Sequence, residues 1–284
     1  MKTITEIGEI QNISDSLKIQ SRTIGLVPTM GFLHEGHLSL VRKSKELCNI
    51  TLVSLFVNPT QFSPSEDLEQ YPRDIDRDQK LLIDEGVDFL FMPEVDEIYT
   101  KNFQTYVNVE GITQTLEGQF RPTHFRGVTT IVNILFNCVK PDYAFFGQKD
   151  AQQAAVIKRM VVDLKLRINL IMCPIVREPD GLAMSSRNIY LSANERKDSL
   201  VLNQSLKVAG EMINKGERKS ALIISEMFSL INSVVSSNVD YIRIVEADTF
   251  EVVDELKQGS EYYILIACRI GSTRLIDNEL IKVR

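Results

Sequence analysis

Val27-Pro28-Thr29-Met30-Gly31-Phe32-Leu33-His34-Glu35-Gly36-His37-Leu38 is the stretch that decides the fold of this chain. The apolar run 23–27 before it reads as a strand, and the run 36–48 after it reads as a helix. One Pro, two Gly and two His fill the turn between them. A strand, a small-residue turn and a helix make a cradle for a nucleotide phosphate, because a helix start offers unbonded N–H groups and positive dipole charge. His34 and His37 lie three residues apart and so share one side of that turn. Their imidazoles can donate hydrogen bonds to phosphate oxygens and stabilise charge developing at phosphorus. Gly36 lets the backbone come close to the nucleotide. Two other readings stay open on these residues alone. They could be a solvated pair of turn histidines, or half of a zinc site, although no further Cys or His lies nearby in sequence to complete a ligand set.

Strands and helices alternate around this turn. Ile4, Ile7, Ile10 and Ile13 recur every three residues and Leu17 follows, so residues 1–20 read as a helix. Residues 50–57 are nearly continuous apolar and β-branched, as in a strand buried on both faces. They end in the polar loop Asn58-Pro59-Thr60-Gln61-Phe62. Residues 65–71 are polar, 74–86 are helical with Gly86 as C-cap, and 87–92 form another buried strand. Residues 104–109 alternate like a strand. Residues 121–127 form a donor-rich loop, and 128–139, apolar nearly all round, are a buried helix. A strand at 143–146, the turn Gly147-Gln148-Lys149-Asp150, a helix at 151–164 and a strand at 168–176 complete the alternation. Such a pattern implies parallel βαβ units with right-handed crossovers, whose ligand crevice lies at the carboxyl ends of the strands. Three donor-rich turns, 30–37, 58–61 and 147–150, fall at such ends and define one site.

Past Arg177-Glu178-Pro179-Asp180-Gly181 the alternation stops. Ser192-Ala193-Asn194-Glu195 is a capping box opening a long helix to about Lys215, and 219–236 is a second helix. Strands follow at 239–245, 261–270 and 273–281. The chain therefore divides into residues 1–175, a Rossmann-like α/β domain with a parallel sheet, and residues 176–284, a smaller α+β C-terminal domain. Leu182-Ala183-Met184-Ser185-Ser186-Arg187-Asn188 adds two hydroxyls and a guanidinium, which suit a loop closing over triphosphate oxygens and equally suit a surface linker.

Composition narrows the function. At 284 residues, 44% hydrophobic and 25% charged, the chain has the make-up of a soluble globular protein. A net charge of -6 argues against a nucleic-acid surface, and no apolar run approaches a membrane span. Met1-Lys2-Thr3-Ile4-Thr5-Glu6 carries no apolar signal core, which reads as cytoplasmic. Cys48, Cys138, Cys173 and Cys268 are scattered in apolar surroundings and read as buried thiols.

A longer series of motifs resembles one family. H-x-G-H with a later Ser-rich loop is similar to the two ATP motifs of class I aminoacyl-tRNA synthetases and to nucleotidylyltransferases generally. More closely, Pro28-Thr29-Met30-Gly31 through His37, Phe56-Val57-Asn58-Pro59-Thr60-Gln61-Phe62, Tyr71-Pro72-Arg73, Leu116-Glu117-Gly118, Arg121-Pro122 with His124-Phe125-Arg126-Gly127-Val128, Gly147-Gln148-Lys149-Asp150 with Gln152-Gln153, and Asp180-Gly181-Leu182-Ala183 through Asn188 resemble the pantoate–β-alanine ligases. The match runs from about residue 23 to 191, and the C-terminal third matches mainly in Arg274-Leu275-Ile276-Asp277-Asn278.

The resemblance implies ATP-dependent condensation of (R)-pantoate with β-alanine through a pantoyl adenylate, releasing AMP and pyrophosphate. By the same resemblance Met30, Gly31, Phe32, Leu33, His34, Glu35, Gly36, His37, Gly147, Gln148, Lys149, Asp150, Val176, Met184, Ser185, Ser186 and Arg187 bind ATP. His37, His34 and Lys149 are the catalytic set, with His37 either a proton donor or a stabiliser of charge. Gln61 and Gln153 hold pantoate, Gln61 also meets β-alanine, and Asn58 and Tyr71 are neighbours. Amides suit this task, since each has both a donor and an acceptor. Mg²⁺ travels on the ATP phosphates, with no protein metal site and no tightly bound cofactor. A homodimer is implied as well. One departure is Gln148, where many relatives carry an acidic residue.

Taken one at a time, Gln61 and Gln153 could be solvated amides and Lys149 with Asp150 a surface ion pair. Asp76 and Asp78 read as a solvated helix face rather than magnesium ligands, and Arg121, His124 and Arg126 border the pocket. Another adenylyl or cytidylyl transferase, or a nucleotide-binding regulator without turnover, would use parts of the same set. A tRNA synthetase is disfavoured by the lack of a basic surface or an anticodon-binding domain.

Overall fold

A computed structural model describes residues 1–63 and 68–284, so residues 65–67 of the polar 65–71 stretch lie outside it. The chain forms two compact units, residues 1–147 with 152–174 and residues 148–151 with 175–284.

In the first unit the strands are β1 (Lys2–Ile4), β2 (Ile24–Thr29), β3 (Ile50–Leu55), β4 (Phe89–Phe91), β5 (Tyr143–Gly147) and β6 (Asn169–Cys173). The helices between them are α1 (Ile7–Ile19), α2 (Glu35–Leu47), α3 (Ile75–Asp84), α4 (Val95–Ile98), α5 (Glu117–Phe120), α6 (His124–Val139) and α7 (Ala151–Asp163). The strands pair in the order β1-β4-β3-β2-β5-β6, and every pairing is parallel. Register runs from Ile24 opposite Ile50 to Thr29 opposite Leu55. Alternate residues serve opposite faces: Leu26 and Leu52 join one core cluster, Val27 and Val53 another. Both faces of the sheet are thus covered, as expected for crossovers through helices. From β2 the chain builds β3 and β4 on one side, then returns to lay β5 on the other. That reversal is the topological switch point of a doubly wound sheet, where the carboxyl ends of neighbouring strands diverge and leave a crevice.

Two sequence expectations for this unit are corrected. Residues 1–20 are not one helix: β1 pairs with β4, Met92 N donates to Ile4 O at 2.8 Å, and Ile4 is buried. An edge strand of three residues carries no periodicity of its own, and the isoleucine spacing absorbed it. Helix α1 starts at Ile7, whose N–H is taken by the Glu97 carboxylate at 2.7 Å. Residues 104–109 are not a paired strand either. Val107 N donates to Thr130 Oγ1 at 3.0 Å and Val107 O accepts from Thr129 Oγ1 at 2.7 Å. Two threonines of the buried helix α6 take the place of a strand neighbour.

The second unit holds α8 (Ala193–Asp198), α9 (Val201–Asn214), α10 (Ser220–Asn232), β7 (Ser237–Glu246), β8 (Glu261–Ile270) and β9 (Thr273–Lys282). Its sheet is antiparallel in the order β7-β8-β9. Leu206, Ile213, Ile223 and Met227 from the helices share one core cluster with Ile242, Ile264 and Ile266 from the strands. The capping box at Ser192 and Glu195 is present, but the helix it opens is short. Ser199 Oγ donates to Arg196 O at 2.7 Å, competing with the helical ladder, and the chain restarts as α9.

Among the described residues no helix is long and apolar enough to cross a membrane. All four cysteines are free thiols: Cys138, Cys173 and Cys268 are buried and Cys48 is half-buried.

Candidate functional site

The turn between β2 and α2 folds into an unusual shape. Gly31 sits at φ +85° and Phe32 at φ +50°, both left-handed. Such a conformation costs a non-glycine residue about 1–2 kcal/mol. Asp78, on the first turn of α3, offsets it. The Asp78 carboxylate accepts from Phe32 N at 2.6 Å and from Leu33 N at 2.8 Å. The side chain is 1% exposed, which corrects the expectation of a solvated helix face. Both oxygens bond the turn; Asp76 is exposed. Burial raises the Asp78 carboxyl above its ordinary value, against the two N–H groups and Arg77, which favour the charged form.

His34 is the N-cap of α2 in an extended conformation. Its backbone N–H donates to His37 Nδ1 at 3.3 Å. An accepting Nδ1 carries no proton, so neutral His37 holds its proton on Nε2 and is a hydrogen-bond donor there. The two imidazoles stand 4.0 Å apart, centroid to centroid, tilted by 37°. Charging both at that distance would cost about 4 kcal/mol at an effective dielectric constant of about 20. Leu33 is buried, so only its backbone faces the turn. Glu35 pairs with Arg42, which also binds Glu85. Gly36 O accepts from Ser39 Oγ at 2.8 Å.

At the end of β3 a 3-10 turn, Pro59–Gln61, carries a chain of side chains with fixed polarity. Asn58 is 1% exposed and Gln61 is 7% exposed. Asn58 Oδ1 accepts from Tyr99 Oη at 2.8 Å and from Thr60 Oγ1 at 3.0 Å. Its amide nitrogen must therefore face the other way, where it donates to Gly127 O at 3.1 Å and Gln61 Oε1 at 3.2 Å. That commits the Gln61 carbonyl and turns Gln61 Nε2 toward Met30 Sδ, at 2.8 Å. Gln61 thus presents donors. Burial raises the Tyr99 phenol, which keeps it protonated and able to donate.

Helix α6 supports the turn from the other side. A Cβ on Gly127 would lie 2.5 Å from Thr60 O and 2.6 Å from Gln61 N, so only glycine allows this approach. Gln61 O lies 3.0 Å from His124 Nδ1, and His124 Nε2 lies 3.2 Å from an Arg121 guanidinium nitrogen. A guanidinium can only donate. His124 Nε2 is then the acceptor and Nδ1–H donates to Gln61 O. Arg126 lies over the Tyr106 ring at 3.8 Å, and Tyr71 packs edge-on against Phe62. On α7, Gln152 is buried and structural: it donates to Ile112 O and Thr115 O and accepts from Glu117 N. Gln153 beside it is half-buried and, among the described residues, stands apart from the chain of bonds through Gln61.

In the second unit, Gln148–Asp150 is a 3-10 turn with Gln148 and Lys149 half-buried and Asp150 exposed. Met184 N donates to Val176 O at 3.0 Å, Glu178 N donates to Leu182 O at 2.8 Å, and Arg177 bridges Ala183. Residues 176–184 are therefore a short hairpin, turned at Gly181 with φ +100°. Ser185 follows it and caps a second 3-10 turn, Ser186–Tyr190, by accepting from Arg187 N at 3.3 Å. Tyr99, which acts on Asn58, carries no motif that marks it in the sequence. Asn278 and Asp277 lay inside a matching motif whose role the sequence left open.

Comparison with known proteins bears on this geometry. The sequence matches the pantoate-beta-alanine ligase family over residues 2–280. It is 53% identical to the pantothenate synthetase of Acetivibrio thermocellus over 283 residues, all of both chains. It is 50% identical to that of Caldicellulosiruptor bescii over 284 residues, again all of both. The crystal structure of pantothenate synthetase from Thermus thermophilus superposes with a TM-score of 0.92 at 40% identity, covering 98% of this chain and 99% of that one. The pantoate-beta-alanine ligase of Francisella tularensis, complexed with beta-gamma ATP and beta-alanine, gives a TM-score of 0.80 at 33% identity, covering 99% and 97%.

Proposed function

Because the chain belongs to the pantoate–β-alanine ligase family, ATP-using amide ligases of pantothenate biosynthesis, we propose that its turn 30–37, Gln148, Lys149, Asp150, Val176 and residues 184–187 handle ATP while Gln61 and Gln153 hold pantoate. A carboxylate is inert to amines until one of its oxygens becomes a good leaving group. One pantoate carboxylate oxygen therefore attacks the α-phosphorus of ATP, and the bond to the β-phosphate oxygen breaks, giving pantoyl adenylate and pyrophosphate. The β-alanine amine then attacks the acyl carbon. AMP departs with the former carboxylate oxygen, the amine loses a proton, and pantothenate is left.

The observation that carries this reading is the fixed polarity of the two turns. His37 offers an Nε2–H donor from a helix start, suited to phosphoryl oxygens gaining charge. Gln61 offers amide donors, suited to hydroxyl or carboxylate oxygens of the acid. His37 serves here as a neutral stabiliser of charge rather than a source of protons. Lys149 adds a cation to the phosphates, and Ser185, Ser186 and Arg187 add hydroxyls and a guanidinium. The reading also places β-alanine near Gln61. Mg²⁺ belongs to the substrate as Mg-ATP and keeps most of its waters. Residues 1–175 serve as the ATP- and pantoate-binding domain and residues 176–284 as a smaller C-terminal domain, in a cytoplasmic homodimer.

Purified protein given ATP, pantoate and β-alanine should release AMP, pyrophosphate and pantothenate in equal amounts. ADP as product, or turnover that ignores β-alanine, would contradict it. A different nucleotidyl transferase would instead move the nucleotide to a phosphate-bearing acceptor and leave pantoate unused.

A further inference from the structure

We propose that Asn278, with Asp277 beside it on β9, is a positioning residue for adenylation: it holds the backbone of Lys149 in place relative to the hairpin 176–184. This rests on the assignment of Lys149 to the ATP phosphates. Asn278 is 1% exposed, and both hydrogens of its amide are used. Its amide nitrogen donates to Gln148 O at 3.0 Å and to Lys149 O at 2.9 Å, and its Oδ1 accepts from Gln148 Nε2 at 3.2 Å. Two carbonyl acceptors fix which end of the amide is nitrogen, so no other orientation satisfies the site. Gln148 is used here as a donor to Asn278.

Asp277 does the same for the hairpin. Its carboxylate is 1% exposed and takes Arg177 in a two-point pair at 2.7 and 3.0 Å. Arg177 in turn donates to Gly181 O at 3.2 Å across the hairpin turn. Asp277 also accepts from Asn278 N at 2.8 Å, which ties the two anchors together. One strand residue therefore carries the backbone of Lys149, and its neighbour carries the arginine that braces the segment leading to Ser185. Polar groups this well paired leave little freedom, since each loses a buried partner if it moves.

A group held out of place by about 1 Å can lose on the order of a hundredfold in rate. The test is a double-mutant cycle read as pantoate-dependent exchange of pyrophosphate into ATP. Asn278→Ala should lower kcat/KM for ATP on the order of tenfold to a hundredfold, with pantoate KM little changed. In a Lys149→Ala background it should add little, because the residue acts through Lys149. Asn278→Asp keeps the shape but turns an oxygen on two carbonyls, so it should be as damaging as alanine; near-wild-type kinetics there would mean mere packing and would overturn the proposal. Full additivity with Lys149→Ala, or an unchanged kcat/KM for ATP in Asn278→Ala, overturns it as well. If Lys149→Ala itself leaves ATP kinetics intact, the underlying assignment falls first. Gln148→Ala, which removes one of three bonds, should give a milder loss in the same direction; an effect on pantoate KM alone would also count against the proposal.

Discussion

Asp78 Oδ1 accepts the backbone N–H of Leu33 at 2.8 Å, across 45 residues of chain, while Oδ2 takes Phe32 N. The turn that carries both histidines is thus shaped by a buried carboxylate on a different helix. Hydrogen bonds to charged groups contribute about 1.5–3 kcal/mol each. Asp78→Asn can accept with only one atom and turns an N–H toward a donor, so kcat/KM for ATP should fall by about tenfold or more at neutral pH. Stability should respond differently. Burial raises this carboxyl in the native state, so the native protein keeps a proton that the unfolded chain releases above about pH 4. The group's contribution is then complete below that pH and declines as pH rises through the native value. Denaturation of wild type and Asp78→Asn across pH 4–8 should show the wild-type advantage shrinking as pH rises; an advantage that grows with pH would contradict the burial argument.

His37→Ala should reduce kcat/KM by about 2–4 kcal/mol of transition-state stabilisation, the size of one donor on developing charge. Since Nδ1 accepts the His34 N–H, a neutral His37 donates from Nε2, and another neutral donor should partly substitute. His37→Gln is expected to retain more of the rate than alanine does. Steady-state kinetics of the two variants decide this; equal losses would argue that His37 supplies a proton rather than a hydrogen bond.

Tyr99 directs the Gln61 amide through Asn58. Tyr99→Phe removes one neutral hydrogen bond, about 1 kcal/mol. Pantoate KM should rise about fivefold while ATP KM stays level, and Gln61→Ala should raise pantoate KM further. Initial-rate measurements at saturating ATP check both; a rise in ATP KM with unchanged pantoate KM would remove Gln61 and Tyr99 from the acid's site.

Burial pushes the Cys48, Cys138 and Cys268 thiols up to about 11, and raises Cys173 as well. At pH 8 a thiol with such a pKa is about one part in a thousand thiolate, and the thiolate is the reactive form. The native enzyme should resist alkylating and disulfide-forming reagents at pH 8 and keep its activity. Four thiols should become titratable only in guanidinium. Rapid loss of activity on modification of the folded protein would contradict this placement.

The parallel sheet was legible because β3 and its neighbours are continuous apolar runs between helices, which only burial on both faces explains. The H-x-G-H turn was legible because small residues and paired donors between a strand and a helix start suit a phosphate. What escaped was set by partners distant in sequence. β1 takes its pairing from β4, the 104–109 segment takes its bonds from Thr129 and Thr130, and Asp78 reads as a surface acid until Phe32 and Leu33 are seen against it. Asn278 was singled out only by likeness; its three bonds to Gln148 and Lys149 are long-range and leave no local pattern.

The central claim is that pantoate is activated as an acyl adenylate. Pantoate labelled with oxygen-18 in both carboxylate oxygens, turned over with ATP and β-alanine, tests it directly by mass spectrometry of the products. One heavy oxygen should appear in AMP and one in the amide carbonyl of pantothenate. Unlabelled AMP, or heavy oxygen in inorganic phosphate, would contradict it.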